Sequence, residues 1–359
     1  MDLKEKIKKL PSSPGVYFMK DSLGTIIYVG KSKNLKSRVG SYFANSKSHS
    51  TKVQKLVRNL KDFDHTLTDT EFEALLLECK CIKEIKPIYN RLMKSPKSYC
   101  YIKIKINERY PNIEICNQLD SSDKNLYFGP YTNKNTVEKG LNAIKDHLKI
   151  LCANSAKNAS GCLMYQKKLC IGMCTTNPTK EYYFYLIEKI INLLSGKDVD
   201  IIKEIEDEMN KAAINFDFEL AAKYRDYIKL VRHFINYAEI TNFIESNKNI
   251  VLMEHLNDEE IKVFLIRYNK VIFSKIYKLS NFTKSEIKYI LKSEIVTNFT
   301  EVSKRETNIG KDEIDEVNII YNYLKSKNTA CKYIAIKDSW LENVEDLNVI
   351  DKFVNTNIN

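Results

Sequence analysis

A short segment near the start of the chain brings tyrosines and cations together at a spacing that could do chemistry. Tyr17 and Tyr28 lie eleven residues apart, and Lys31, Arg38 and Tyr42 follow within the next fourteen residues. Hydroxyls and fixed cations with no acid among them suit a site that attacks a phosphodiester, because they orient water and stabilise phosphate charge. Strand tyrosines are commonly core or surface residues, so the joint spacing carries this prediction.

Four elements must position these residues. Residues 15–19 and 25–30 are rich in Val, Ile, Tyr and Phe and predict a β-hairpin. One helix is expected from about residue 34, and another over about 70–86, where a proline follows.

Glu78 lies on the second of these helices, and its neighbours one turn away are Ala74, Leu75, Cys81 and Ile82. A carboxylate on such an apolar face is costly unless a cation or strong donors meet it. Glu78 is therefore either a boundary residue that reaches solvent or a lysine, or the ligand of a divalent metal. One carboxylate with several waters is a normal arrangement for Mg²⁺, and the tyrosine–cation set favours the metal ligand.

Tyr28 could deprotonate an attacking water only if its pKa falls well below about 10. Lys31, Arg38 and a bound metal are expected to lower that pKa. Alternatively, Tyr28 orients the water or passes its proton to the metal-bound shell.

The formal net charge of +11 is concentrated near the start of the chain, where residues 1–97 hold 20 Lys and Arg against 10 Asp and Glu. Residues 31–61 contain nine cations and no acid. A solvated surface is the ordinary explanation, but a block beside a candidate phosphate site favours binding to a nucleic-acid backbone. The expected DNA-binding residues are Lys31, Lys33, Lys36, Arg38, Lys52, Lys55 and Arg58.

The pattern along the chain predicts an α+β multidomain protein. The expected domains are an N-terminal α/β domain (1–97), a strand and helix connector (98–197), a helical hairpin (198–240) and a small α/β unit of unknown role (245–359). Within them we expect a turn at 127–131, and a ragged polar tail at the end. No apolar run is long enough to span a membrane, and the charged N-terminus is unlike a secretory signal, so a cytoplasmic protein is expected.

Four of the nine cysteines lie within 23 residues, at Cys152, Cys162, Cys170 and Cys174. The tight CxxC pairs typical of structural zinc are absent. Clustered thiols still indicate a metal, and an iron–sulfur cluster with four cysteine ligands is chemically reasonable. Free buried cysteines are the alternative.

Residues 199–236 predict two amphipathic helices, with Asp217 as the N-cap of the second. The pair is either an ordinary hairpin or one whose apolar edge needs a partner helix pair, because an isolated hairpin buries little surface.

Residues 11–42 and the segment ALLLECKCIKEIKPIYN at 74–90 resemble the GIY-YIG nucleases, in the form found in the UvrC family of bacterial excision repair. Val16 and Val29 stand where the name of the motif has Ile. The resemblance implies that Tyr28 is the general base and that Glu78 holds one Mg²⁺ or Mn²⁺. The full catalytic set that it implies is Tyr17, Tyr28, Lys31, Arg38, Tyr42, Glu78 and Asn90, with Lys31, Arg38 and Tyr42 on the phosphate and Asn90 closing the site.

Two further segments resemble the same family. The cysteine region, which in that family is associated with a 4Fe–4S cluster, is similar to residues 162–174, although Met173 stands where a proline is usual. Residues 216–226 resemble the UVR motif, through which UvrC docks onto a hairpin of UvrB. The implied contacts are Phe216, Phe218, Ala221, Tyr224, Arg225 and Ile228.

The resemblance implies a metal-dependent DNA endonuclease of nucleotide excision repair that acts on damaged double-stranded DNA in complex with UvrB. It would cut one phosphodiester on the 3′ side of the lesion and leave a 5′-phosphate and a 3′-hydroxyl. A non-catalytic adaptor that binds UvrB or damaged DNA is the alternative. Since no clustered acids occur in 248–359, a single nuclease is expected, in a short or truncated homologue.

Overall fold

The computed structural model describes most of the chain, namely residues 3–44, 50–90, 93, 99–108, 110–120, 122–150, 163–172, 180–246, 248–267, 270–301, 313–326, 331–342 and 347–358. The strands are β1 Gly15–Lys20, β2 Ile26–Ser32, β3 Asp62–Leu67, β4 Cys100–Lys105, β5 Asn112–Cys116, β6 Leu126–Tyr131, β7 Asn249–His255, β8 Glu260–Arg267, β9 Lys270–Lys278 and β10 Cys331–Ile336. The helices are α1 Leu3–Lys8, α2 Leu35–Ser41, α3 Thr51–Asn59, α4 Glu71–Ile85, α5 Lys134–His147, α6 Leu163–Gln166, α7 Lys180–Leu194, α8 Asp200–Ile214, α9 Phe218–Glu245, α10 Lys284–Glu301, α11 Ile314–Lys325 and α12 Asn348–Asn357. The predicted α+β class is confirmed. Among the described helices, none combines the length and apolarity that a membrane span requires.

The chain divides into two compact units. The first contains residues 1–95 together with 243–359, and the second contains residues 96–242. The N-terminal α/β domain and the small α/β unit therefore pack together as one body, although the domain boundaries taken from the sequence stay predictions.

The N-terminal sheet of the first unit is antiparallel, with strand order β2-β1-β3. The predicted hairpin of β1 and β2 is confirmed. Tyr17 lies opposite Gly30, and Met19 lies opposite Tyr28. Because side chains alternate along a strand, Tyr17 and Tyr28 share one face as diagonal neighbours. Helices α2 and α3 pack on that face, and α3 and β3 are elements that the sequence analysis did not foresee.

Helix α4 covers the opposite face of this sheet, where Val16 and Val29 contact Ala74 and Ile82. Thr70 and Glu73 form a reciprocal capping box at its start. The helix ends where Lys86 adopts a left-handed conformation with φ 52°. The helix predicted over about 70–86 is therefore confirmed.

The second sheet of the first unit is also antiparallel, with strand order β10-β7-β8-β9. One face carries α10 and α12 over a core that includes Ile287, Leu291 and Val354. The expected polar tail is wrong, because α12 buries Ile350, Phe353 and Val354 at helical spacing.

The other face of the second sheet packs against α4 and α11. Phe72 of α4 is fully buried there. Its ring lies 5.2 Å from that of Phe264 in an edge-to-face contact and 4.8 Å from that of Tyr323 in a stacked contact, measured between centroids. Helix α4 is thus buried on two sides, against two different sheets.

The second unit consists of the antiparallel sheet β5-β4-β6 and helices α5 to α9. The turn expected at 127–131 is wrong, because these residues belong to strand β6. Gly129-Pro130 is a turn signal in sequence, but within the described residues β6 pairs only with β4, and the register of that pairing shifts where Gly129 and Pro130 lie. A proline is tolerated on an edge strand or at a bulge because the ladder does not need its N–H there.

Helices α8 and α9 form the predicted hairpin. The side chain of Asp217 accepts a hydrogen bond of 3.0 Å from the N–H of Leu220, which confirms it as the N-cap of α9. Helix α9 continues to Glu245, beyond the expected end near residue 236. Ile205 and Val231 are fully buried, so this hairpin is part of the core of its own unit.

Replacing Phe72 with Ala should destabilise the first unit by about 3–5 kcal/mol, because the substitution opens a cavity between α4 and the second sheet. Urea denaturation of the full chain measures the loss. Leu23→Ala, at a side chain that is 87% exposed, is the control and should change stability by less than about 0.5 kcal/mol. A loss below about 1 kcal/mol for Phe72→Ala would contradict the shared packing of α4.

Candidate active site

Three tyrosine rings meet on the α2–α3 face of the first sheet. The ring centroids of Tyr17 and Tyr28 are 6.2 Å apart, and Tyr42 lies 6.0 Å from Tyr17 and 6.5 Å from Tyr28. The hydroxyls of Tyr17 and Tyr42 share a buried hydrogen bond of 2.8 Å. A Cβ atom at Gly30 would lie 2.5 Å from Cζ of Tyr17, so only glycine leaves room for this ring. The fold therefore brings the three predicted tyrosines, Tyr17, Tyr28 and Tyr42, into contact.

Two cations lie against this cluster. The guanidinium carbon of Arg38 is 5.3 Å from the centre of the Tyr42 ring, and Nζ of Lys52 is 5.7 Å from the centre of the Tyr28 ring. Both contacts are cation–π interactions. The position of Lys52 over Tyr28 was not apparent from sequence, because α3 itself was not predicted.

The outer edge of β2 forms hydrogen bonds with Asn90, which follows α4, and with Glu78 of α4. Asn90 accepts a hydrogen bond of 3.0 Å from the N–H of Val29 and donates one of 2.9 Å to its carbonyl. Two residues further along the same edge, the N–H of Lys31 donates to Oε1 of Glu78 at 3.1 Å. An edge strand otherwise exposes unpaired backbone groups. Asn90 therefore fixes the backbone of β2 at Val29, and its role in closing the site stays a prediction.

Glu78 is half-buried, and burial raises the pKa of its carboxyl above the usual value. The hydrogen bond from Lys31 and the charges of Lys31 and Arg38 oppose that rise. Within the described residues Glu78 forms no salt bridge, because the ammonium group of Lys31 pairs with Glu71 instead. Glu71 was not singled out in the sequence, although an acid in the first turn of a helix is a recognisable signal.

The residues around Glu78 fit a hard divalent cation. A carboxylate with one hydrogen bond and no salt bridge among the described residues keeps oxygen lone pairs for a metal. Mg²⁺ prefers oxygen ligands and keeps several of its waters when one carboxylate binds it. Among the described residues there is no cluster of three or more His, Cys, Asp and Glu that could hold a metal without such waters.

The predicted lowering of the Tyr28 pKa holds for Arg38, but in the protein without a cation other causes outweigh it and the pKa is raised. Burial is the main cause that raises the pKa of its phenol, and Tyr42 and Glu78 raise it further, while Arg38 lowers it as expected. Burial likewise raises the pKa of Tyr17 well above its usual value. Both phenols therefore stay protonated at neutral pH.

The predicted DNA-binding cations follow β2, α2 and α3. Lys33, Lys36, Arg38, Lys55 and Arg58 are exposed, and Lys52 is half-buried. None of these six forms a salt bridge with another residue of the described ranges. Unpaired cations beside the tyrosine cluster suit a polyanion.

The cysteine prediction falls largely outside the described residues, since Cys152, Cys162 and Cys174 lie there. Cys170 is buried, and the N–H of Gly172 donates to its sulfur at 3.5 Å. The metal assignment of these cysteines stays a prediction.

The tip of the α8–α9 hairpin exposes apolar side chains. Phe216 is 79% exposed and Phe218 is 68% exposed, with their rings 6.2 Å apart, and Ile214 is exposed beside them. Arg225 is exposed, whereas Ala221 and Tyr224 are partly buried. Ile228 is buried inside its own unit, so the expectation that it faces a partner is wrong.

Comparison with known families matches three consecutive domains. A UvrC-like GIY-YIG domain matches residues 13–91, the middle domain of the UvrC/Cho excinucleases matches residues 99–193, and the UvrB/uvrC motif matches residues 200–233.

Similar proteins include UvrABC system protein C of Alkaliphilus oremlandii, 37% identical over 98% of this chain and 53% of that protein, and that of Clostridioides difficile, 39% identical over 91% and 55%. Among solved structures, the N-terminal endonuclease domain of UvrC from Thermotoga maritima, bound to magnesium, is 34% identical over 25% of this chain and all of that domain, with a TM-score of 0.23. The chain spans about half the length of the curated relatives it matches. The three domains in this order, with the identity to these relatives over nearly the whole chain, place it in the UvrC family.

Proposed function

We propose that this chain is a divalent-metal-dependent endonuclease of nucleotide excision repair that hydrolyses one phosphodiester of damaged DNA, on the 3′ side of the lesion. The observation that carries the proposal is Glu78, a half-buried carboxylate that a backbone N–H holds beside a tyrosine–cation cluster. The order of domains and the identity to UvrC proteins support the repair context.

Glu78 is the residue that would hold Mg²⁺ or Mn²⁺. When bound, such a cation neutralises charge on the phosphate and makes water more acidic. Arg38 is exposed and presents a planar fork that matches phosphate oxygens. It stabilises the charge that grows on the phosphate as water attacks phosphorus in line and the bond to the 3′-oxygen breaks. The 3′-oxygen leaves as a hydroxyl, and the phosphate stays on the 5′ end.

Tyr28 acts as the residue that orients the attacking water. Its pKa is raised in the protein without a cation, so its phenol is protonated and offers both a donor and an acceptor at neutral pH. Tyr17 and Tyr42 are buried and hydrogen-bonded to each other, and they hold Tyr28 and Arg38 in place by ring contacts. Lys52, over the Tyr28 ring, adds positive charge on the side where the DNA backbone approaches.

Glu78→Gln should reduce cleavage in Mg²⁺ by at least roughly a hundredfold, beyond the loss typical of outer-shell residues, while DNA binding stays nearly intact. Because burial raises the pKa of Glu78, its ionised form destabilises the fold at neutral pH. The melting temperature of Glu78→Gln should therefore stay the same or rise. Single-turnover nicking of a lesion-bearing duplex and thermal unfolding measure the two effects.

The matched control is Glu84→Gln, which removes an exposed carboxylate from the same helix. It should cut at the wild-type rate. Cleavage by Glu78→Gln at the wild-type rate would remove Glu78 from the metal site. A wild-type chain that binds DNA and UvrB but never nicks would favour the non-catalytic adaptor.

The partner of the α8–α9 hairpin is the matching C-terminal hairpin of UvrB. The match of residues 200–233 to the UvrB/uvrC motif supports this assignment. So does the exposure of Phe216 and Phe218, because large exposed aromatics at one tip are typical of a binding surface. The 4Fe–4S assignment of the cysteine region belongs to the same proposal, and it is supported by the resemblance of residues 162–174 to the cysteine region of the family.

The double variant Phe216→Ser and Phe218→Ser should weaken binding to the UvrB hairpin by about thirtyfold or more, since an aromatic hot spot contributes roughly 2 kcal/mol. The fold should be unchanged, because both side chains are exposed. Calorimetric titration with the isolated UvrB hairpin measures this loss.

Tyr289→Ser, at a 73% exposed aromatic on α10, is the matched control and should bind normally. Undiminished binding by the double variant would place the contact elsewhere.

A further inference from the structure

Lys262 of β8 is a buried cation of the second sheet, and its ammonium group binds acids at the start of α4. Its side chain is 6% exposed, and its ammonium group forms salt bridges of 2.5 Å with Asp69 and with Glu73. These two acids lie almost 200 residues away in the chain, in the segment that begins α4. The small α/β unit, whose role the sequence leaves open, thus holds the start of the helix that carries Glu78.

The partners of Lys262 are the groups that set where α4 begins. Glu73 closes the capping box by accepting hydrogen bonds of 3.2 Å from the backbone N–H groups of Asp69 and Thr70. Its other carboxylate oxygen accepts from Lys262. One side chain therefore ties the first turn of α4 both to its own N-cap and to β8.

On the opposite side of the same turn, α4 is bound by Lys31 of the first sheet, β2-β1-β3. The ammonium of Lys31 pairs with Glu71, and the N–H of Lys31 holds Glu78. Glu78 follows Glu73 by five residues, about 7.5 Å along a helix. The position of the Glu78 carboxylate therefore depends on a helix that is clamped between Lys31 on one side and Lys262 on the other.

We infer that Lys262 is a positioning residue of the nuclease site. Through Lys262, the small α/β unit fixes the axial position of α4 so that Glu78 reaches the edge of β2. This inference rests on the proposed function, because it concerns the same metal site. A buried charge with two acids is a costly way to join two domains, and well-packed apolar residues often stabilise as much. Unlike apolar packing, the ion pair fixes the register of α4 against the second sheet.

The test compares three full-length variants in Mn²⁺ titrations followed by electron paramagnetic resonance. Lys262→Met keeps the aliphatic stem and removes the charge, and Lys262→Arg restores the charge. Lys292→Met is the matched control, because Lys292 is also largely buried and its salt bridge of 2.8 Å with Asp351 stays within the small α/β unit. The Glu78-dependent part of Mn²⁺ binding is defined by its loss in Glu78→Gln.

Lys262→Met should weaken Glu78-dependent Mn²⁺ binding by roughly three- to tenfold, near the lower end of losses for outer-shell partners. The Mn²⁺ concentration for half-maximal nicking should rise by the same factor, with little change in the rate at saturating Mn²⁺. Lys262→Arg should recover most of the affinity, and Lys292→Met should match the wild type. Wild-type Mn²⁺ affinity in Lys262→Met would overturn the inference.

Two further results keep the inference and the proposed function separate. If Lys262→Met does not fold, Asp69→Asn at a half-exposed acid replaces it, and a Mn²⁺ affinity equal to wild type there overturns the inference. If the wild-type chain binds Mn²⁺ through Glu78 and loses affinity on Lys262→Met, but never nicks DNA, the positioning role stands and the nuclease proposal fails. A wild-type chain without Glu78-dependent Mn²⁺ binding overturns both.

Discussion

The hydrogen bond from the N–H of Lys31 to the carboxylate of Glu78 is the contact on which the candidate site depends. It joins the edge of β2 to α4, and so joins the strand that presents Tyr28 to the helix that presents the acid. Asn90 pairs the N–H and the carbonyl of Val29 on that edge, and the N–H of Tyr89 pairs the carbonyl of Ile27. Because Asn90 and Glu78 both bond to the edge of β2, the half-buried Glu78 carboxylate stays beside the tyrosines, although no residue of the described ranges forms a salt bridge with it.

The division of charge around this contact suits attack on a phosphodiester. Acids lie at the start of α4, where Glu71 and Glu73 are paired with lysines, while the tyrosine face carries cations that are unpaired within the described residues. The exposed cations and the half-buried Tyr28 therefore offer positive charge and one hydroxyl to a polyanion. A divalent cation held by Glu78 would neutralise that carboxylate and so raise the affinity of the site for phosphate.

Much of this site was predictable because its signals are local. The hairpin, the helix over 71–85 and the apolar neighbours of Glu78 follow from the strand-forming residues, the proline after the helix and helical spacing in the sequence. The raised pKa of Tyr28 was not predicted, since burial outweighs Arg38 and the packing of α3 on the tyrosine face was overlooked, although Val53, Leu56 and Val57 have helical spacing. The pairing of Lys31 with Glu71 was missed because it depends on tertiary packing.

The remaining errors also come from long-range contacts. A Gly-Pro pair predicted a turn where an edge strand tolerates it, and Ile228 was assigned to a partner although its own unit buries it. The contact between α4 and the second sheet, through Phe72 and Lys262, joins segments almost 200 residues apart and leaves no periodic signal. The apolar surroundings of Glu78 were seen in the sequence, but their cause, burial against two sheets, needed the structure.

Anomalous diffraction from crystals of the chain soaked in Mn²⁺ can show whether Glu78 binds the metal. We expect one manganese peak at roughly 2.0–2.3 Å from a carboxylate oxygen of Glu78, near the octahedral distances of Mg²⁺, with the Tyr28 hydroxyl on the same side. The peak should vanish in crystals of Glu78→Gln and persist in Glu84→Gln. A peak bound elsewhere in residues 13–91, or one that survives Glu78→Gln, would contradict the assignment of Glu78 as the metal ligand.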